Sequence, residues 1–164
     1  MAMVKRILDL KNILDNNSII NFSPKFWYED IDIGYELETE KKIASTQQLV
    51  MYAGASGDYV PIHYDSEVAK NAGHEKVIIH GALKMAWLSN FLTEWAGINS
   101  ILSELEVQYR SIDYPGEELF CEGKVVDKNI ENNFGIISLE ISLKKVDGTI
   151  SVIGNAKIVM ALKK

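Results

Sequence analysis

"ALKMAWLSNFLTEW", Ala82–Trp95, is the stretch that decides the fold. Leu83, Ala86, Trp87 and Phe91 recur at helical spacing, with Asn90 and Glu94 among them. The segment is apolar over much of its circumference, and a helix apolar nearly all round is a buried helix. This predicts one central helix around which other elements must pack. After Gly97 the pattern changes. "SILSELEVQYRSI" (100–112), "EELFCEGKVVDK" (117–128), "FGIISLEISLKKV" (134–146) and "TISVIGNAKIVMAL" (149–162) are rich in β-branched residues, several with period-two alternation. "DYPGE", "IENN" and "VDG" separate them, and Asp147–Gly148 is a strong hairpin signal. A further strand is expected around Glu36–Ala44. The fold class predicted is α+β: a curved antiparallel sheet of about five strands wrapped around the helix.

Upstream, "STQQLVMYAGAS" (45–56) reads as a short helix. Ser45 or Thr46 would be its N-cap, Leu49, Tyr52 and Ala53 would face inward, and Gly54 and Gly57 would limit it. "DSEVAKNAG" (65–73) reads as another, capped by Asp65 or Ser66 and stopped at Gly73. Val4, Ile7, Leu8, Leu10 and Leu14 fit a helix that ends before Pro24. Residues 1–24 are therefore expected to be a helical extension and linker, and 25–164 a single domain.

The chain has 164 residues, 47% of them hydrophobic and 24% charged, enough for one domain with a core. Its net charge of −6 argues against nucleic acid as the main partner, because phosphate binding needs a basic face. The single cysteine, Cys121, allows no intrachain disulfide and is expected to be a small core residue. No segment approaches the ~18 uncharged apolar residues of a membrane span. Lys5, Arg6, Asp9 and Lys11 interrupt any signal-peptide core. The expected location is cytoplasmic, with no membrane partner.

The chemistry concentrates in "GDYVPIHYD", Gly57–Asp65. Asp58 and His63 lie five residues apart, the wrong spacing for one helix face, with Pro61 between them. Across a loop the two side chains can turn toward one point. A carboxylate and an imidazole sharing one water form a general acid–base pair. The same residues also suit a plain loop, with Asp58 bonding its own backbone. "HGA", His80–Ala82, opens the long helix, where unpaired N–H groups carry partial positive charge. A glycine at 81 would let a ligand oxygen come close, or would simply allow a tight turn.

Together, "YAGASGDYVPIHYD" (52–65) and "IIHGALKMAWL" (78–88) resemble the MaoC-like, (R)-specific enoyl-CoA hydratases and the related (3R)-hydroxyacyl-thioester dehydratases. The family pattern is Ser/Thr-Gly-Asp-x-Asn-Pro-aliphatic-His-x-Asp, then His-Gly at a helix start. Ser56, Gly57, Asp58, Pro61, Ile62, His63, Asp65, His80 and Gly81 match it. "EVQYRSIDYPGEEL" (106–119) is similar to the family's strand ending in Arg before a Pro-Gly turn. The likeness spans about residues 26–162 and departs at Val60, where the family usually has Asn.

The resemblance implies a hotdog fold and a hydro-lyase. Asp58 and His63 would handle the water, and the Gly81 N–H would bind the thioester oxygen. Ile79, His80 and Gly81 would line the substrate. It implies an acyl-CoA or acyl-carrier-protein substrate carried on pantetheine, and no metal or redox cofactor. It also implies a homodimer, with a heterodimer or higher oligomer as alternatives. His80 is expected to hold the turn, and His74 to lie in a surface loop. A metal on Asp58, His63, His74, His80 or Asp65 fits no ligand spacing. Trp87, Phe91 and Trp95 are expected to line the core or an acyl tunnel. Two rivals stand beside this reading. One is a hotdog thioesterase using Glu94, the carboxylate within the long helix. The other is a catalytically weak subunit of a heterodimer, suggested by Val60.

Overall fold

The computed structural model describes residues 25–163; the helical extension expected over residues 1–24 lies outside them. The long helix, α3, is Gly81–Ala96, one residue longer at each end than expected. Two residues per turn are buried: Leu83 and Lys84, Trp87 and Leu88, Phe91 and Leu92, Trp95 and Ala96. Ala82, Met85, Ala86, Asn90 and Glu94 are exposed. The helix is thus buried along a stripe rather than all round, because the sheet covers one side of it. Fully burying one Leu or Phe of that stripe contributes roughly 1.5–3 kcal/mol.

Four strands follow in the order expected: β2 (Ser100–Tyr109), β3 (Glu118–Glu131), β4 (Phe134–Lys145) and β5 (Ile150–Met160). With β1 (Glu40–Ile43) they form one antiparallel sheet in the order β1-β3-β4-β5-β2. On β3 and β4, Cys121 opposes Leu143 and Val125 opposes Leu139, and all four are buried. Their Cβ atoms point to one face, as strand geometry requires, and that face meets α3. Cys121 is the core residue expected, and burial pushes its thiol up to about 12.

Three local expectations need correction or refinement. The first strand is shorter than Glu36–Ala44. Residues before Glu40 still bond β3 through Gly34, Tyr35 and Leu37, with Glu36 in an isolated bridge to Lys124. Asp147–Gly148 does turn β4 into β5 as expected, but the two-residue hairpin is at Asn132–Asn133, between β3 and β4. Both asparagines have positive φ, 50° and 65°, which a two-residue turn of the primed type demands. Asp147–Gly148 sits inside a longer connection between β4 and β5, closed by the Lys145 N–H donating to the Thr149 carbonyl.

The third concerns the helix breakers. Gly54 does not interrupt α1, which runs Thr46–Ser56. Ser45 caps it by accepting from the Gln48 N–H, and Gly57 ends it with φ +76°. No helix runs through Pro61. The proline starts one turn of 3-10 helix, Pro61–His63, where a missing N–H costs nothing. Asp65 then caps α2, Ser66–Asn71, by accepting from Glu67 and Val68. The whole segment between β1 and α3 is therefore a chain of short capped turns, which carries Asp58 and His63 to the head of α3.

Candidate active site

His63 is held at the end of the 3-10 turn, buried, by two bonds. Its backbone N–H donates to the Val60 carbonyl, and its ring Nδ1 donates to the Ile78 carbonyl at 2.8 Å. A carbonyl can only accept, so the neutral ring carries its proton on Nδ1 and leaves the Nε2 lone pair free. Nε2 faces Asp58 Oδ2 at 4.0 Å. That gap is too long for a direct hydrogen bond and is the span one water bridges. The other Asp58 oxygen, Oδ1, accepts from the Val60 N–H at 3.3 Å. One Asp58 oxygen thus organises its own turn, as the plain-loop reading expects, while the other faces the His63 ring.

His80 is fully buried and stacks on His63, ring centroids 3.7 Å apart at 20°. The Tyr52 ring meets His80 edge-on at 5.1 Å. Among the described residues neither His80 ring nitrogen makes a well-formed hydrogen bond, although the Asp58 backbone stands close enough to favour the charged ring. Burial first, and then His63 beside it, push its pKa below the ordinary imidazole value; Asp58 opposes this. His80 is therefore more than a turn residue, since it forms the back wall of His63. Donor atoms of Asp58, His63 and His80 lie within 4.8 Å of one another. A ring nitrogen's lone pair lies in the ring plane, so two nearly parallel stacked imidazoles aim side by side rather than converging on one ion.

Gly81 starts α3, and among the described residues none accepts from its N–H. A Cβ at this position would stand 3.3 Å from the Tyr109 ring, at the end of β2. Tyr109 thus roofs the helix start, and a side chain at 81 would have to push this half-exposed ring aside by a few tenths of an ångström. Burial, and then Tyr52, raise the Tyr109 phenol above its usual pKa. Ile79 is buried, with its N–H bonded to the Asp113 carbonyl at 2.9 Å.

The structure brings Asp58, His63 and His80 together, with Gly81 next to His80 in the chain, and leaves His74 apart, on the loop after α2. Tyr52, expected to face inward, packs on His80, and Tyr109, which no sequence signal marked, packs on Gly81. Trp87, Phe91 and Trp95 are core residues, the last packed on Phe26 and Tyr35. Glu94 is exposed and thirteen residues along α3 from Gly81, about 20 Å at helical rise. A cavity of about 910 Å³ lies elsewhere, on the sheet face turned from α3, among Glu106, Arg110, Glu122, Glu140, Lys144 and Asn155. None of Asp58, His63, His80 or Gly81 lines it. It is not the acyl-sized chamber that the resemblance leads one to look for beside the pair.

Comparison with known structures shows the hotdog fold. The R-hydratase PhaJ1 of Pseudomonas aeruginosa superposes with a TM-score of 0.76 at 22% identity, covering 85% of this chain and 88% of that one. The (R)-hydratase of A. caviae gives 0.72 at 22% identity, covering 82% and 99%. Among curated proteins, the mitochondrial 3-hydroxyacyl-[acyl-carrier-protein] dehydratase of Arabidopsis thaliana is 28% identical over 81 residues. The probable enoyl-CoA hydratase 2 of Dictyostelium discoideum is 33% identical over 84. These matches take in about half of this chain and 48% and 29% of those proteins. The model of the MaoC like domain matches residues 29–147, which take in the Asp58–His63 turn, the head of α3 and most of the sheet. The chain belongs to the MaoC-like dehydratase family.

Proposed function

We propose that the protein reversibly adds water to a 2-enoyl thioester, giving the (R)-3-hydroxyacyl thioester. The observation that carries this reading is the open pair. Asp58 Oδ2 and His63 Nε2, the ring nitrogen that Ile78 leaves free, face each other at 4.0 Å; Gly81, whose N–H finds no acceptor among the described residues, directly follows the His80 that stacks on His63. Both facing atoms are acceptors, so a water between them donates one O–H to each and presents its oxygen lone pair outward. That oxygen bonds C3 of the substrate, and the C2–C3 π electrons move toward the thioester carbonyl. Asp58 and His63 take the water's proton and return one to C2. Negative charge developing on the thioester oxygen is met by the Gly81 N–H at the positive end of α3. The step as drawn uses no metal or redox group.

The substrate class follows the relatives, one of which is named for an acyl-carrier-protein substrate and one for a CoA substrate. The (R) configuration follows the two hydratases of like fold. A thioesterase acting through Glu94 is disfavoured, since that exposed carboxylate stands about four turns from Gly81. The other rival is a weak subunit of a heteromeric enzyme. It draws on Val60, whose half-exposed side chain can bond neither water nor Asp58. One structure of like fold is the ChsH1-ChsH2 complex of Mycobacterium tuberculosis, TM-score 0.70 at 17% identity. Purified protein with crotonyl-CoA separates the three. Loss of enoyl absorbance without free thiol supports hydration, free thiol supports hydrolysis, and no change supports a subunit that needs a partner.

A further inference from the structure

His80 and Gly81 are bracketed by two residues that both bond Asp113. On one side the Ile79 N–H donates to the Asp113 backbone carbonyl at 2.9 Å. On the other, Lys84 Nζ, one turn into α3, donates to Asp113 Oδ2 at 2.7 Å. Lys84 also donates to the Ser111 carbonyl at 3.0 Å and to Ser151 Oγ at 3.1 Å. The Ser151 hydroxyl donates to the same Asp113 oxygen. Lys84, Asp113 and Ser151 are 3%, 0% and 0% exposed. Lys145 approaches Asp113 Oδ1 to 3.5 Å from the outer side and donates to the Ile112 carbonyl.

The segment held by Asp113 is the one that orients His63. Ile78 donates its N–H to the Ile62 carbonyl and accepts from His63 Nδ1. One peptide strand, Ile78–Ile79, is thus tied to the His63 turn on one side and to Asp113 on the other. A buried ion pair of this kind adds little net stability, because desolvation offsets its attraction. What it does supply is direction: short, multiple bonds that leave the head of α3 one position relative to the His63 turn.

We propose that Asp113, acting through Lys84, is a positioning residue that fixes the Gly81 N–H relative to His63 Nε2. This rests on the hydration reading above. A misplacement of about 1 Å between reacting groups can cost ~10²-fold in rate without removing any of them.

The test is Lys84→Met/Asp113→Leu in the full chain, which keeps the packing and the Asp113 backbone carbonyl. Turnover and KM on crotonyl-CoA, the melting temperature and amide hydrogen exchange are measured beside wild type. Turnover is expected to fall at least ~10-fold with KM within about threefold. Amides 79 and 83 should exchange at least ~10-fold faster while Leu88 and Leu92 keep their protection. Wild-type turnover with unchanged exchange overturns the proposal, and so does faster exchange along all of α3, which marks general loosening. If the double variant does not fold, Asp113→Asn is read by the same criteria. If wild type hydrates nothing, the reaction assigned above is wrong, and exchange at amides 79 and 83 still decides whether the clamp exists.

Discussion

The chain contains two acid–base pairs near the head of α3, and they are built in opposite ways. Lys84 and Asp113 touch at 2.7 Å with 4% and 0% of their side chains exposed; all three Lys84 donors close on the protein, and Asp113 Oδ1, buried, meets only Lys145 at 3.5 Å. Asp58 and His63 stand 4.0 Å apart with 37% and 11% exposed, each held by one backbone bond that leaves one atom free. A closed pair, shut away from solvent, offers no atom that a substrate can reach. An open pair whose members are separately anchored keeps its geometry while a proton moves between them and a third molecule. Pairing of charges alone therefore does not nominate a site; free atoms that solvent can reach, held in fixed orientation, are what make the open pair the candidate.

Four perturbations would break or sharpen this contrast. Removing one member of the closed pair should cost the most stability. Lys84→Ala leaves the Asp113 carboxylate buried and uncompensated, and is expected to destabilise by about 3–5 kcal/mol in chemical denaturation. A loss under about 1 kcal/mol would show that water enters the cluster and that it is not closed.

The open pair should behave in reverse. Asp58→Asn and His63→Ala are each expected to lower turnover by at least ~100-fold with little change in stability. Near-wild-type rates in both variants would remove them from the reaction.

Gly81 separates the two demands on the helix start. Gly81→Ala should disturb the Tyr109 ring by about 1 kcal/mol or less, since that ring is half exposed and can shift. Its turnover should fall further than this packing cost implies if the Cβ also stands where the thioester oxygen binds. Full recovery of turnover in Gly81→Ala/Tyr109→Ala would mean that the glycine serves the tyrosine alone.

The smallest effect concerns pH. His80 is held neutral by burial and by His63, so its folded pKa lies below its unfolded one. The unfolded chain therefore binds more protons as pH drops through about 6.5, and stability declines in the acid direction. The melting temperature should fall between pH 7 and pH 5, and His80→Gln should flatten that slope. An unchanged slope would assign it to other groups.

Much of this was legible in the sequence. Asp58, His63 and Gly81 stood out because proline, glycine and charged residues crowded into short stretches have local causes, namely turns, caps and a helix start. The strands after Gly97 announced themselves by alternation. The hairpin at Asn132–Asn133 carries a weaker signal than Asp147–Gly148, since asparagine tolerates positive φ less readily than glycine. One signal was passed over: Lys84 is a cation on the buried stripe of an apolar helix, and such a residue demands a partner.

By itself, then, the sequence determined the α+β pattern, the short capped turns and the residue types that could move a proton, because these follow from local sterics and periodicity. Only the tertiary structure decided which residues meet. It stacked His63 on His80, laid Tyr109 over Gly81 and joined Lys84 to Asp113 and Ser151, contacts across 17, 28, 29 and 67 positions of chain. Such pairings depend on how the curved sheet closes against one side of α3, and no local pattern of side chains encodes that path.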